Sequence, residues 1–138
     1  MTKNLTLPLG LYVKYKHASN LIFFSGILSF SKKNVLLRGK VSENCLKLAI
    51  KAAKFCGANL LREITTMCNI ENTSVKSILK LNVYINSNSE FMQHSHIADE
   101  ISKVILIKYP NMLHARTTIG VSSLPLNAMI ETEAIIEI

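Results

Sequence analysis

"KSILKLNVYIN", residues 76–86, alternates from end to end. Leu79, Leu81, Val83 and Ile85 point one way; Lys76, Ile78, Lys80, Asn82 and Tyr84 point the other. Successive side chains on a strand leave opposite faces, so the pattern predicts a half-buried strand with one face on a core. Helical patterns flank it. Upstream, "SENCLKLAIKAAKFCGANLLREITTM" (42–67) places Leu46, Ala49, Ile50, Ala53, Cys56, Leu60, Ile64 and Met67 on one face and Lys47, Lys51, Lys54 and Arg62 opposite. That spacing predicts a helix over 43–68 with a packed face and a basic, solvated one. Ser42 suits its cap and Glu43 its first turn. Downstream, "NSNSEF" (86–91) opens a second helix with Ser89 as its cap. Ile97, Ile101, Val104, Ile105 and Lys108 keep the helical period, and Pro110 ends it.

The remaining segments read as strands. "LYVKYKHASNLIFFSGILSF" (11–30) gives two strands around the turn "HASN", the second being Leu21–Phe24 and closed by Ser25-Gly26. "VLLRG" (35–39) is a short third strand. "HARTTIGVSSLPLNAMIETEAIIEI" (114–138) gives two more, about 113–121 and 127–138, joined by "SSLPL". Strands, helix, strand, helix and two strands describe an α+β layer with two helices on one sheet.

In the last strand Ala128, Ile130, Thr132, Ala134, Ile136 and Ile138 share a face, and Met129, Glu131, Glu133, Ile135 and Glu137 share the other. If the last two strands form a hairpin, Arg116 lies across from Glu131 and Glu133, at the roughly 5–8 Å of cross-strand neighbours. An arginine facing carboxylates across a sheet is commonly a surface ion pair. It is also what a site that holds a small anion and moves a proton requires.

Composition narrows the classes. The 138 residues, 49% of them hydrophobic, suffice for one core, and a single domain over 1–138 is expected. No apolar run approaches the roughly 20 residues of a membrane span. "MTKNLTLPLG" carries no long apolar leader, and Cys45, Cys56 and Cys68 form no CxxC pair. Both features point to a cytoplasmic protein with reduced thiols and no membrane partner. The formal charge is +7, but 13 of the 16 basic residues are scattered lysines, without the aromatic motif of an RNA-recognition sheet. A solvated lysine surface is the simpler account, and nucleic acid is not the expected partner. His94 and His96 lie two apart on a helix and do not converge on a metal. His114, beside the arginine, is assigned to the other side of its strand and left out.

These residues resemble the reactive intermediate deaminase family, RidA or YjgF-like, formerly the L-PSP endoribonuclease family. The resemblance runs from about Leu7 to Ile138. It is carried by Arg116, Leu124-Pro125, Ala128, Glu131 and Glu133, with Arg116 fifteen residues before Glu131 as in the family pattern. "GLYVKY" matches the family's Gly-x-Tyr segment at Tyr12, and "FFSG" its Ser-Gly at Ser25 and Gly26. Three positions depart: Ile27 where Gln is frequent, Asp99 where Asn is frequent, and Thr118 where Cys is frequent. The chain therefore resembles a divergent branch.

The resemblance implies a chorismate-mutase-like fold, a mixed six-stranded sheet with two helices on one face. It implies a homotrimer with sites between subunits, and a hydrolase that converts enamines and imines of the 2-aminoacrylate type to 2-keto acids and ammonia. Arg116 would hold the substrate carboxylate, with Glu131 as the catalytic carboxylate. Tyr12, Ser25, Asp99 and Thr118 would line the substrate, and no metal or other cofactor would be needed. Two alternatives stand beside this: an endoribonuclease, and a non-catalytic binder of small carboxylates.

Overall fold

The computed structural model describes residues 8–138; the start of the resemblance at Leu7 lies outside them. A long helix follows a single 3-10 turn at Glu43–Cys45: α1, Leu46–Glu71. Its buried face, from Ala49 through Ala53, Cys56, Leu60 and Ile64 to Met67, is the one the spacing predicted. The helix stops at Asn72, which adopts the left-handed conformation asparagine tolerates and donates its N–H to the Cys68 carbonyl. The second helix, α2, spans His94–Lys108 and begins later than expected. Ser89 does not cap it; its hydroxyl bonds the neighbouring Glu90 instead.

Six strands form one mixed sheet: β1 Tyr15–Ala18, β2 Leu21–Phe24, β3 Ile27–Leu28, β4 Ser77–Asn86, β5 Ala115–Val121 and β6 Ile130–Glu137. The order is β1-β2-β6-β4-β5, and β3 extends the pairing of β2 along β6. All pairs are antiparallel except β4 with β5. A parallel pair needs a crossover, and α2 supplies it. Both helices cover one face, where Ile22, Leu81, Val83, Ile85, Ile130, Ala134 and Ile136 join the buried side of α1 and α2. Among the described residues no helix is long and apolar enough to cross a membrane.

Three further expectations change. The third strand is Ile27–Leu28; the 35–39 segment makes only isolated bridges, Leu36 to Phe30 and Arg38 to Ala128. The alternation of 76–86 is not continuous, because the register on β6 shifts between Ile78 and Lys80. Leu79 is the extra residue of a bulge. Ile78 is therefore buried and Leu79 is 38% exposed, the reverse of the simple pattern. Finally, the last two strands do not form a hairpin. Leu81 pairs with Arg116 on one side and Ala134 on the other, so β4 lies between them.

Candidate functional site

This topology separates the residues expected to meet. Arg116, Leu81 and Ala134 form one row across the sheet, on the face the helices cover. Glu131 is three residues from Ala134 and so leaves the opposite face. From strand spacing and rise, Arg116 and Glu131 are on the order of 14 Å apart at Cα. Within one chain they do not touch, and Arg116 does not hold Glu131 ionised. The predicted residues fall into two groups.

The first group surrounds Glu131. Between β2 and β3 the register on β6 slips by one: Phe23 faces Ile135, while Ile27 faces Thr132. Ser25 and Gly26 occupy the slip. The Ser25 hydroxyl donates to the Val13 carbonyl at 2.6 Å and its N–H to Lys14 at 2.9 Å, which fastens the segment preceding β1 beside it. Gly26 leaves room for the carboxylate: a Cβ there would lie 1.9 Å from Glu131 Oε1. Glu131 lines a cavity of about 450 Å³ together with Tyr12, Ser25, Gly26, Asn59 and Arg62. Tyr12 is half exposed, and its hydroxyl accepts the Leu9 N–H at 3.3 Å. Burial, and secondarily the charge of Glu133, raises the Glu131 carboxyl above the ordinary carboxylate range. Glu133 itself accepts hydrogen bonds from Tyr84 at 2.7 Å and Asn82 at 3.0 Å, a structural role on the open face.

The second group surrounds Arg116. One guanidinium nitrogen donates to Asp99 Oδ1 at 2.9 Å and Ser102 Oγ at 3.0 Å; the other donates to Ser95 Oγ at 3.1 Å and the Ser95 carbonyl at 3.5 Å. The fork is spent on α2 in this conformation. Ser102 accepts from Arg116 and so is free to donate to His114 Nε2, 2.9 Å away. That leaves His114 Nδ1 to carry the proton toward the Met112 carbonyl at 3.3 Å. Burial, helped by Arg116 and opposed by the Met112 carbonyl, lowers the His114 pKa. Residues two apart on a strand share a face, so His114 belongs with Arg116 rather than opposite it. A groove of about 420 Å³ runs beside Asp99, Ser102, His114 and Arg116. Thr118 follows on the same face; its hydroxyl is buried and finds no partner among the described residues.

Gly26 was marked by its Ser-Gly motif. Ser102 and Arg62 were not singled out as site residues. For Arg62 a signal existed: it is one of three arginines, with Arg38 and Arg116, in a chain that otherwise uses lysine.

A mixed sheet backed by two helices, with a carboxylate in a cleft beside a Ser-Gly bulge, defines a class of small α+β proteins. The sequence profile of the Endoribonuclease L-PSP family matches residues 2–138, and the chain belongs to that family, the RidA/YjgF family. Protein TCP17 of Trypanosoma cruzi is 32% identical over 89 residues, 63% of this chain, and the match covers about half of TCP17 (55%). The crystal structure of Atu1372 from Agrobacterium tumefaciens is 30% identical, with a TM-score of 0.86 over 98% of this chain and 87% of that one. E. coli TdcF, solved with bound serine, is 19% identical with a TM-score of 0.65 over 96% and 91%, a likeness of fold.

Proposed function

We propose that the chain hydrolyses amino-acid-derived enamines and imines to 2-keto acids and ammonia. One observation carries this: a carboxylate with a raised pKa, set against a glycine in a cavity that also holds Tyr12 and Ser25. A protonated imine carbon is already electrophilic, so the protein must hold the substrate and aim a water. Glu131 accepts a proton from the water as its oxygen bonds to that carbon, giving a carbinolamine. It returns that proton to nitrogen and takes the carbinolamine hydroxyl proton as the C=O forms and the C–N bond breaks. The ammonia that leaves carries this second proton away as ammonium, which restores the carboxylate. A carboxyl shifted toward neutral suits both steps. TdcF, a relative in fold, carries a small amino acid, serine, a compound chemically related to the proposed substrates.

The substrate carboxylate requires a cation, and Arg116 is the expected one. Since it lies too far from Glu131 within a chain, the reading includes a homotrimer in which a neighbouring copy brings Arg116 to the Glu131 cavity. Arg116 then exchanges a contact on α2 for the substrate. Three free cysteines fit a reducing compartment, and we place the protein in the cytoplasm.

Keto acid and ammonia released from freshly generated imines test the activity. Glu131→Gln keeps the shape and loses the base, so kcat should fall about 10²–10⁴-fold. Arg116→Lys keeps the charge and loses the fork, so KM should rise. Full turnover by Glu131→Gln would leave a carboxylate binder instead. The exposed Lys47, Lys51 and Lys54, in a family named for endoribonuclease activity, favour a second reading as an RNA-cleaving protein. Phosphate binding of that kind falls steeply with salt and does not need Arg116. Salt-resistant cleavage abolished by Arg116→Ala would reverse the ranking.

A further inference from the structure

Four charged side chains among the described residues line the Glu131 cavity: Lys14, Arg62, Glu63 and Glu131. Lys14 and Glu63 pair with each other at 3.1 Å, which fastens the segment before β1 onto α1. Glu131 and Arg62 remain. Arg62 makes no hydrogen bond or ion pair with any described residue, although its guanidinium could serve several acceptors at once.

Its position is built. Asn59, Arg62 and Glu63 lie three and four residues apart and share a face of α1. The Asn59 amide donates to the carbonyls of Leu28 at 3.1 Å and Phe30 at 2.9 Å, and so fixes this turn of the helix against the segment that begins with β3. Leu28 pairs with Glu131. The same packing therefore sets the distance between Arg62 and the carboxylate. The cavity, about 450 Å³, is in the range of sites for ligands much larger than a three-carbon imine. A free guanidinium, a carboxylate and spare volume match a substrate with an anion at the far end from its imine.

We propose that Arg62 is a specificity-determining residue that takes a second, side-chain carboxylate, so that the preferred substrates are imines of acidic amino acids. This rests on the Glu131 cavity being the reaction site, with Arg116 holding the first carboxylate. Arg62 then binds the distal one, and neither residue substitutes for the other. A substrate that lacks the distal carboxylate leaves Arg62 in water, where it costs little.

The test uses keto acids, the products of the reaction, so that binding is read apart from turnover. Calorimetry compares 2-oxoglutarate with 2-oxopentanoate, which has the same chain length and a methyl in place of the distal carboxylate. The wild-type chain should bind 2-oxoglutarate about tenfold more tightly or better. Arg62→Ala should erase the preference without weakening 2-oxopentanoate. Alanine at an exposed helix position endangers no packing. Lys47→Ala removes the same charge from α1 outside the cavity and should keep the preference.

Equal affinities in the wild type, no binding of 2-oxoglutarate at millimolar concentration, or a preference that survives Arg62→Ala would each overturn the proposal. Loss of the preference in Lys47→Ala would also overturn it, since net charge would then be the cause. Failure of imine hydrolysis, by contrast, strikes the deaminase reading and leaves the binding result standing.

Discussion

The surroundings of Glu131 disfavour its charged form. Burial and Glu133 raise its folded pKa above the unfolded value, so the folded state holds its proton the more tightly. The stability linked to that proton is present at low pH and lost as pH rises through the folded pKa. Glu131→Gln should therefore melt higher than the parent at pH 7, and the gap should close near about pH 4. Thermal unfolding at the two values checks this. A more stable, less active variant is the expected signature of a functional carboxylate. Gly26 makes the complementary case. A Cβ at position 26 meets only the Glu131 side chain, 1.9 Å from Oε1, 2.7 Å from Cδ and 3.1 Å from Cγ, so the fold tolerates it by swinging that side chain aside. Gly26→Ala should lower kcat by about a hundredfold, as a misplaced reacting group does, with a melting temperature close to the parent's. Steady-state kinetics with a melting curve separates the two effects.

At the scale of elements, the helices meet closely at Gly57. A Cβ there would stand 3.0 Å from Val104 Cβ, 3.2 Å from its Cγ1 and 3.3 Å from the Ile101 carbonyl. Val104 is β-branched and held in α2, so it cannot turn aside. Gly57→Ala gains about 1 kcal/mol of helix propensity and loses roughly 1–3 kcal/mol to overpacking. A net loss should appear as a lower urea midpoint. The elements also show what the sequence made legible. The face of α1 followed from residues three and four apart, which meet whatever the rest of the chain does. Leu79 misled because a single inserted residue reverses the phase, and the bulge depends on a partner about sixty positions away. The pairing of β5 with β6 misled more seriously. They are neighbours in sequence, and the eight residues between them look like a hairpin connection. Yet β4 offers each of them a pairing edge, and the choice is made by the whole sheet. Motif groups Tyr12, Ser25 and Glu131, and the three line one cavity; the separation of Arg116 from them depends on strand order, which no local pattern carries.

For the whole molecule, the uncovered sheet face remains. It carries Tyr84, Glu133 and Ile135, with Phe23 at 41% and Ile119 at 46% exposure, a mixture too apolar to be a typical solvated face. Covering it with copies of the chain would bury these side chains and could bring one copy's Arg116 to another's Glu131. Sedimentation equilibrium should give three times the mass of 15.4 kDa. A stable monomer at micromolar concentration would leave Arg116 and Glu131 apart and remove the basis for a complete site.

The place of β6 bears on how such a chain is made. The strand at the centre of the sheet is the last element in chain order, flanked by β2 from near the start and β4 from the middle. During synthesis both neighbours emerge with a bare edge and wait for it. Most of the hydrophobic layer cannot close until β6 has left the ribosome, so closure of the sheet waits for that strand. A nascent or truncated chain ending before Ile130 would present two unpaired apolar edges at once. Quality control would then act on an all-or-nothing product, and a stop just before β6 would be as damaging as one just before β4.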